Sequence, residues 1–210
     1  MAVTIVALGG SLGNQSTSLA ALRVALDGAS EAGARTELYD IRELDLPMYV
    51  PHGATAPAAE RLCESVYRCD GMLWSSPLYH GTISGSFKNA LDWLQLLGDR
   101  TPAYLTDKVV GLISTAGGTQ GLQAVNTMEF IVRALRAWAV PLVIPIPQAW
   151  GAIQGGQVLN DSVAAQLRTL GAQVVRAAEH FAAGRITTAD AARAEAALQP
   201  VSEREVRRAQ

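Results

Sequence analysis

"VTIVALGGSLGNQSTS", Val3 to Ser18, is the stretch on which the reading of the fold turns. Val3–Leu8 has the apolar, β-branched character of a buried strand and runs directly into Gly9 and Gly10. Ser16 to Ser18 stand where a helix N-cap belongs, ahead of apolar positions at Leu19, Leu22, Val24 and Leu26. Strand, glycine loop and helix in that order is how α/β proteins present anion sites, because the unpaired first-turn N–H groups and the positive end of the helix dipole face the loop.

The loop contains no lysine or arginine, which narrows the anion. A nucleoside triphosphate with its Mg²⁺ is usually met by a G-x-x-x-x-G-K-[ST] lysine, and none is present. The dinucleotide pattern G-x-G-x-x-G also fails, since Leu8 takes the first glycine position if Gly10 and Gly13 take the others. A terminal phosphomonoester, held by backbone donors and the hydroxyls of Ser11, Ser16, Thr17 and Ser18, fits best, and flavin mononucleotide (FMN) carries one. The plainer alternative is that Ser16 only caps the helix and the glycines only make a tight turn. Asp40, ending the next strand, stands where a ribose-binding acid would, a common place for an acid in any case.

Outward from this unit the chain alternates. Helices are predicted over Ser16–Ala32, Pro57–Cys69, Ser84–Leu97, Gly121–Trp138 and Asp161–Ala182, and strands over Val3–Leu8, Thr36–Ile41, Gly71–Ser75, Val109–Ser114 and Leu142–Ile146. Five strands with intervening helices imply a parallel, doubly wound sheet. Residues 1–183 form the expected domain, and 184–210, rich in Ala, Arg and Glu, a helical tail with a helix starting near Thr188.

Composition sets outer limits. With 210 residues, 49% hydrophobic and 17% charged, the chain is long enough for one sizeable core. A net charge of -2 with dispersed Lys and Arg argues against nucleic acid as a partner. No apolar run approaches the ~20 residues of a membrane span, and no leader pattern precedes the first strand, so no membrane role and a cytoplasmic location are expected. Cys63 and Cys69 lie on one predicted helix in positions that cannot pair without unwinding it, and three scattered histidines offer no metal-ligand spacing.

The second signal is "SSPLYHGTISGSFKNALDWL", Ser75 to Leu94, following the central strand. It puts Pro77, Leu78, Tyr79, His80 and Gly81 at the carboxyl edge of the sheet, where ligands bind in open α/β folds. Pro77 stiffens the loop, Tyr79 offers a flat apolar face, and the backbone at His80–Gly81 can approach a planar heterocycle. The third loop, "STAGGTQG" from Ser114 to Gly121, includes Gly117 and Gly118 and has N–H groups that can face ring carbonyls.

Together these loops resemble the NADPH-dependent FMN reductase family of flavodoxin-like proteins. The family patterns G-S-x-R-x-x-S and S-x-P-x-Y-x-x-x-x-x-G-x-x-K-N-x-x-D are met at Gly10, Ser11 and Ser16, then at Ser75, Pro77, Tyr79, Gly85, Lys88, Asn89 and Asp92. The second pattern is the specific one, and the resemblance spans roughly residues 1–180. It implies a flavodoxin-like three-layer α/β sandwich with a five-stranded parallel sheet, with FMN as cofactor and NADPH or NADH as co-substrate. It further implies that Ser11, Ser16, Thr17 and Ser18 surround the FMN phosphate, that Pro77 to Gly81 line the ring, and that Ser114, Gly117 and Gly118 flank its pyrimidine side. Two departures stand out: Gly13 replaces the first-loop arginine, and Leu78 replaces an acid common in the second.

The expected activity is hydride transfer from NAD(P)H through flavin to a small-molecule acceptor, with no catalytic side chain and no metal; His80 is the candidate for adjusting the charge around the ring. Quinone, azo-dye or metal-ion reduction on the same scaffold is the near alternative, and a flavodoxin-type electron carrier the distant one. Tyr104 and Lys108 have the Y-x-x-x-K spacing of a dehydrogenase pair, but they run into a strand instead of sharing a helix face. The resemblance also implies a homodimer or homotetramer built on the helices after the third and fourth strands, with Trp93 or Trp138 at the interface, and a flavin-dependent monooxygenase as one candidate recipient of reduced flavin. Lys88 and Asp92, one turn apart, read as a surface ion pair.

Overall fold

The computed structural model describes residues 2–184; the predicted tail helix from Thr188 lies outside the described residues. The chain opens with β1 (Thr4–Gly9), α1 (Thr17–Glu31), β2 (Arg35–Asp40), the short α2 (Ile41–Leu44) and α3 (Pro57–Arg68). It continues through β3 (Gly71–Tyr79), β4 (Thr82–Ile83), α4 (Gly85–Asp92) with a 3₁₀ extension over Trp93–Leu97, β5 (Val109–Thr115) and α5 (Gly121–Ala134). Then come β6 (Trp138–Ile146), α6 (Ala149–Ala152), the small hairpin of β7 (Ile153–Gln154) and β8 (Gln157–Val158), and α7 (Asp161–Ala183).

The sheet order is β2-β1-β3-β5-β6, all parallel, as the alternation predicts. A sixth strand, β4, which the sequence reading lacks, pairs antiparallel with the end of β3. The order reverses between β1 and β3, so the crevice outside their carboxyl ends is where a ligand fits in this topology. Every residue of β5 is buried, because helices cover both faces of the sheet.

One face carries α1 and α7, and the core there gathers Leu22, Ala25, Leu73, Ile113, Leu170 and Val174. These two helices touch backbone to backbone. A Cβ on Gly171 would stand 2.0 Å from the Ala25 carbonyl oxygen, and one on Gly28 would stand 2.4 Å from that of Arg168, so only glycine permits the crossing. The other face carries α3, α4 and α5 over Leu8, Leu62, Met72, Trp74, Phe87 and Leu112. Both cysteines are buried there, at α3 and its C-terminal end, with Cys63 Sγ donating to the Trp93 carbonyl at 3.3 Å and Cys69 Sγ to that of Val66 at 3.2 Å.

Several predicted boundaries shift, the larger ones for local reasons, and the last strand begins at Trp138 instead of Leu142. The third strand extends from Ser75 to Tyr79, because His80 (φ 49°) and Gly81 (φ 85°) make a two-residue left-handed turn whose twist suits a hairpin. The predicted helix Ser84–Leu97 tightens into its 3₁₀ extension after Asp92. The predicted helix Gly121–Trp138 stops at Ala134, Arg136 takes a left-handed φ of 64°, and Trp138 instead begins β6, its N–H donating to the Lys108 carbonyl at 2.9 Å. Pro141 is accommodated within this edge strand where the β5–β6 register shifts.

Candidate functional site

The first loop is shaped by what lies beneath it. Gly10 takes φ 106° and its N–H donates to the Ser75 carbonyl at 3.2 Å, seating the loop on β3. The Asp40 carboxylate lies 3.0 Å from where a Cβ on Gly10 would be. It caps α2 through the Arg42 N–H at 3.0 Å, so this acid is engaged in local structure. Ser16 is the N-cap of α1: its Oγ accepts from the Leu19 N–H at 3.2 Å and lies 3.0 Å from the Ser18 Oγ. Ser18 is buried, and its carbonyl accepts the Ser75 hydroxyl at 2.8 Å. Ser11 and Thr17 are half-buried at the mouth, and residues 12–15 are exposed.

The second loop is a hairpin. Ser76 Oγ donates to the Pro77 carbonyl at 2.9 Å and accepts from the Ser84 N–H at 3.0 Å, which closes the base of the hairpin. Leu78 pairs with Ile83 and Tyr79 with Thr82, and Thr82 Oγ1 donates to Thr127 Oγ1 of α5 at 3.2 Å. Pro77 is buried in the strand, Leu78 is half-buried, and Tyr79, His80 and Gly81 are exposed at the tip.

The third loop is pinned to the segment after β6. Ala116 donates to the Ile146 carbonyl at 3.0 Å, so this N–H does not face the crevice. The carbonyls of Ala116 and Gly118 accept from Ala149 and Gln148, each at 2.9 Å. Gly117 and Gly118 are exposed, whereas Ser114 is fully buried with its hydroxyl donating to the Gly121 carbonyl at 2.6 Å. Thr17 Oγ1 donates to Thr115 Oγ1 at 3.1 Å and so ties the first loop to the third. The structure thus gathers Ser11, Ser16, Thr17, Tyr79, His80, Gly81, Gly117 and Gly118 at one edge of the sheet. Ser18, Pro77 and Ser114 lie in the layer beneath.

Asn89 is the residue whose role the sequence reading left unassigned. It is buried in α4, its Oδ1 accepts from the Tyr49 N–H at 2.8 Å, and its Nδ2 donates to the Pro47 carbonyl at 3.0 Å. Trp93 adds a bond from Nε1 to the same carbonyl at 2.9 Å and an edge-on contact with Tyr49. Together they strap the loop after α2 beside the first loop. A pocket of about 260 Å³ lies between Leu12, Leu46, Met48, Ser86 and Asn89. The signal was an asparagine and a tryptophan one turn apart on one helix, whose common partner is remote in sequence. Trp93 is therefore committed within its own chain, while Trp138 is exposed and packs on Phe181 with ring centroids 5.5 Å apart.

Lys88 and Asp92 form the expected surface pair. Lys108 is buried and donates to the carbonyls of Tyr67 at 2.9 Å and Cys69 at 2.6 Å, an anchoring role instead of a dehydrogenase one. Burial pushes the Cys63 thiol from its ordinary 9.0 up to about 12, with the Arg100 charge acting the other way, so it stays protonated. Among the described residues no group of three or more His, Cys, Asp or Glu could hold a metal, and no helix is long and apolar enough to cross a membrane. A surface cavity of about 570 Å³, lined by Glu129, Arg133, Arg136 and Trp138 at the end of α5 and the start of β6, includes none of the three loops.

A doubly wound sheet in flavodoxin order, with three loops converging at its switch point, defines a flavodoxin-like α/β protein. A sequence model of the NADPH-dependent FMN reductase family matches residues 3–151, and the chain belongs to that family. It is 34% identical over 119 residues to an NADPH-dependent FMN reductase ArsH of Acidithiobacillus ferrooxidans, a match covering 56% of this chain and 48% of that protein. It is also 34% identical over 123 residues to an NADPH:quinone oxidoreductase of Arabidopsis thaliana, covering 57% and 61%. An FMN-dependent NADPH-azoreductase of Staphylococcus aureus is 32% identical over 135 residues, covering 60% and 68%. The chain thus spans about half to two thirds of the length of these curated relatives. The same fold is found in RosB with a bound 8-demethyl-8-formylriboflavin-5'-phosphate intermediate, with TM-score 0.72 and 17% identity over 93% of this chain and 86% of that one. It recurs in the apo form of the NADH:FMN oxidoreductase EMOB, with TM-score 0.61 and 20% identity over 87% and 89%.

Proposed function

We propose that this chain binds FMN across its three carboxyl-edge loops and works as an NADPH-dependent reductase of small molecules. The observation that carries the reading is the hydrogen-bonded junction of the first and third loops through Thr17 and Thr115, beside the exposed Tyr79 hairpin, in a chain of this family.

The residues fit the group. The first turn of α1 contains no acid, so nothing there opposes an anion. A Cβ on Gly13 would meet only the Ser11 Oγ at 3.6 Å, so the loop is an open cradle beside a hydroxyl. Ser11 would offer its hydroxyl to the phosphate, and the N–H groups of Thr17 and Ser18, which as first-turn residues have no intrahelical acceptor, would add backbone donors, while the Thr17 hydroxyl proton stays with Thr115. Ser16 orders that turn as its cap. Tyr79 would give the ring an aromatic platform, His80 a polar imidazole neighbour, and Gly117 and Gly118 a close backbone edge, with Ser114 and Pro77 holding these loops from below. When bound, FMN supplies two-electron chemistry between NADPH and an acceptor.

Two further features belong to the same reading. A surface furrow of about 200 Å³ between α4 and α5, lined by Leu91, Gln95, Ile131 and Leu135, and the exposed Phe130 on α5 suit self-association as a dimer or tetramer. The placement of Cys63 and Cys69 inside the core, where each thiol donates to a backbone carbonyl, suits a reducing, cytoplasmic setting.

Calorimetry with FMN and riboflavin, followed by NADPH oxidation with FMN, quinone and azo acceptors, tests the proposal. Tight FMN binding with at least tenfold weaker riboflavin binding is expected. NADPH turnover supports the reductase over the electron carrier, which would bind FMN without oxidising NADPH. The quinone reading gains from the plant relative and predicts a higher kcat/KM with quinone than with free FMN.

A further inference from the structure

Trp150 is an exposed aromatic beside the third loop that the site described so far does not use. It sits in α6 and is 68% exposed, yet its position is tightly defined. Gln148 takes a left-handed φ of 45°, and the two bonds from Gln148 and Ala149 to the third loop turn α6 back over residues 116–118. Ala149, immediately before it, is buried and anchors the turn in the core. A Cβ on Gly117 would lie 3.3 Å from Trp150 Nε1, so the indole edge lies against the Gly117 backbone. Gly117 is not among the residues with left-handed φ; what glycine provides here is room for the indole.

The sheet register gives this indole a counterpart. Pro77, Thr115 and Ile146 lie side by side on β3, β5 and β6. Two residues past Pro77 stands Tyr79, 54% exposed, and four past Ile146 stands Trp150, so the glycine loop after Thr115 has an exposed aromatic following the strand on either side of it. A scattered exposed aromatic needs no explanation. One whose backbone is hydrogen-bonded in place and whose ring edge rests on a glycine loses little freedom on binding, which is what makes an aromatic contact effective.

Building on the flavin reading above, we propose that Trp150 is a specificity-determining residue that favours flat, conjugated-ring electron acceptors by stacking them at the third loop. Its indole face supplies dispersion and quadrupole attraction to a planar ring, which a compact inorganic acceptor cannot use. The preference therefore lies in KM for planar acceptors and not in the chemistry at the flavin.

The test uses the full chain loaded with FMN and compares Trp150→Ala and Trp150→Phe with the parent, using a naphthoquinone and ferricyanide as acceptors. Trp150→Ala is expected to lower the ratio of kcat/KM for naphthoquinone to that for ferricyanide at least tenfold, mainly through KM, and Trp150→Phe to restore it to within threefold. As a readout apart from turnover, naphthoquinone should saturably quench tryptophan emission of the FMN-free parent, and Trp150→Phe should lose most of that quenching. An unchanged ratio in Trp150→Ala, or equal losses with both acceptors, overturns the stacking role while FMN binding by the parent stands. Failure of the parent to bind FMN overturns the flavin reading and this proposal with it.

Discussion

Thr17 Oγ1 donates to Thr115 Oγ1 across 3.1 Å, joining the first turn of α1 to the last residue of β5, 98 residues further along the chain. Thr115 is buried, so its hydroxyl oxygen depends on this donor. Thr17→Val should cost about 0.5–1.5 kcal/mol of stability through the lost bond. It should also weaken FMN more than riboflavin, since the first loop contacts only the phosphate in the proposed complex. Urea unfolding and parallel calorimetric titrations measure the two effects.

Asn89 satisfies Tyr49 and Pro47 together, and truncation removes both partners at once. Asn89→Ala should destabilise the chain by about 1–3 kcal/mol, the range for leaving buried polar groups unpaired. The Tyr49 amide should lose protection from hydrogen exchange before amides of β5 do, because the strap opens locally while the sheet stays intact. Hydrogen exchange resolved by residue checks both the size and the order.

Tyr79 is exposed at the hairpin tip, and its ring, not its hydroxyl, is what the proposed platform uses. In the proposed complex the hydride passes between nicotinamide and flavin, so the phenol has no proton to carry. Tyr79→Phe should leave FMN affinity and turnover nearly unchanged. Tyr79→Ala should weaken FMN by about 1–3 kcal/mol, with a smaller fall in turnover at saturating flavin. Abolished turnover in Tyr79→Phe with intact FMN binding would give the phenol a chemical role.

Cys63 carries a pH signature. Its thiol is raised from 9.0 to about 12 by burial, so between those values the folded chain keeps a proton that the unfolded chain releases. The unfolded state then binds fewer protons, and stability falls as pH rises through this window, by at most about 1.4 kcal/mol per pH unit from this group. Below the unfolded value the contribution is complete. Cys63→Ala should flatten that part of the alkaline slope while lowering stability at neutral pH through the cavity it leaves, which denaturation series at pH 8.5 to 10.5 would resolve.

The chain's own pattern determined most of the framework. β1, the glycine turn and α1 were legible because strand character, the left-handed Gly10 and the Ser16 cap are properties of adjacent residues. The buried run of β5 and the helical periodicities likewise follow from local side-chain order, and the parallel sheet follows from their alternation. The His80–Gly81 hairpin was not legible, because histidine in a left-handed first turn position lacks the usual Asn-Gly signal, and β4 is only two residues long. The start of β6 at Trp138 was hidden for a related reason: the apolar spacing of α5 runs on, and only the bond to Lys108 and the register with β5 turn those residues into strand. At the site, the residue types were readable but their exposure was not. Ser18 and Ser114 have the same chemistry as Ser11, and what buries them is packing: Ser18 against Ser75 of β3, 57 residues away, and Ser114 against the start of α5, folded back across the intervening glycine loop. Asn89 and Trp150 take their roles from partners 40 and about 30 residues distant. Such roles belong to tertiary structure, because a hydrogen bond or a ring contact is specified by both its ends, and a local pattern contains only one.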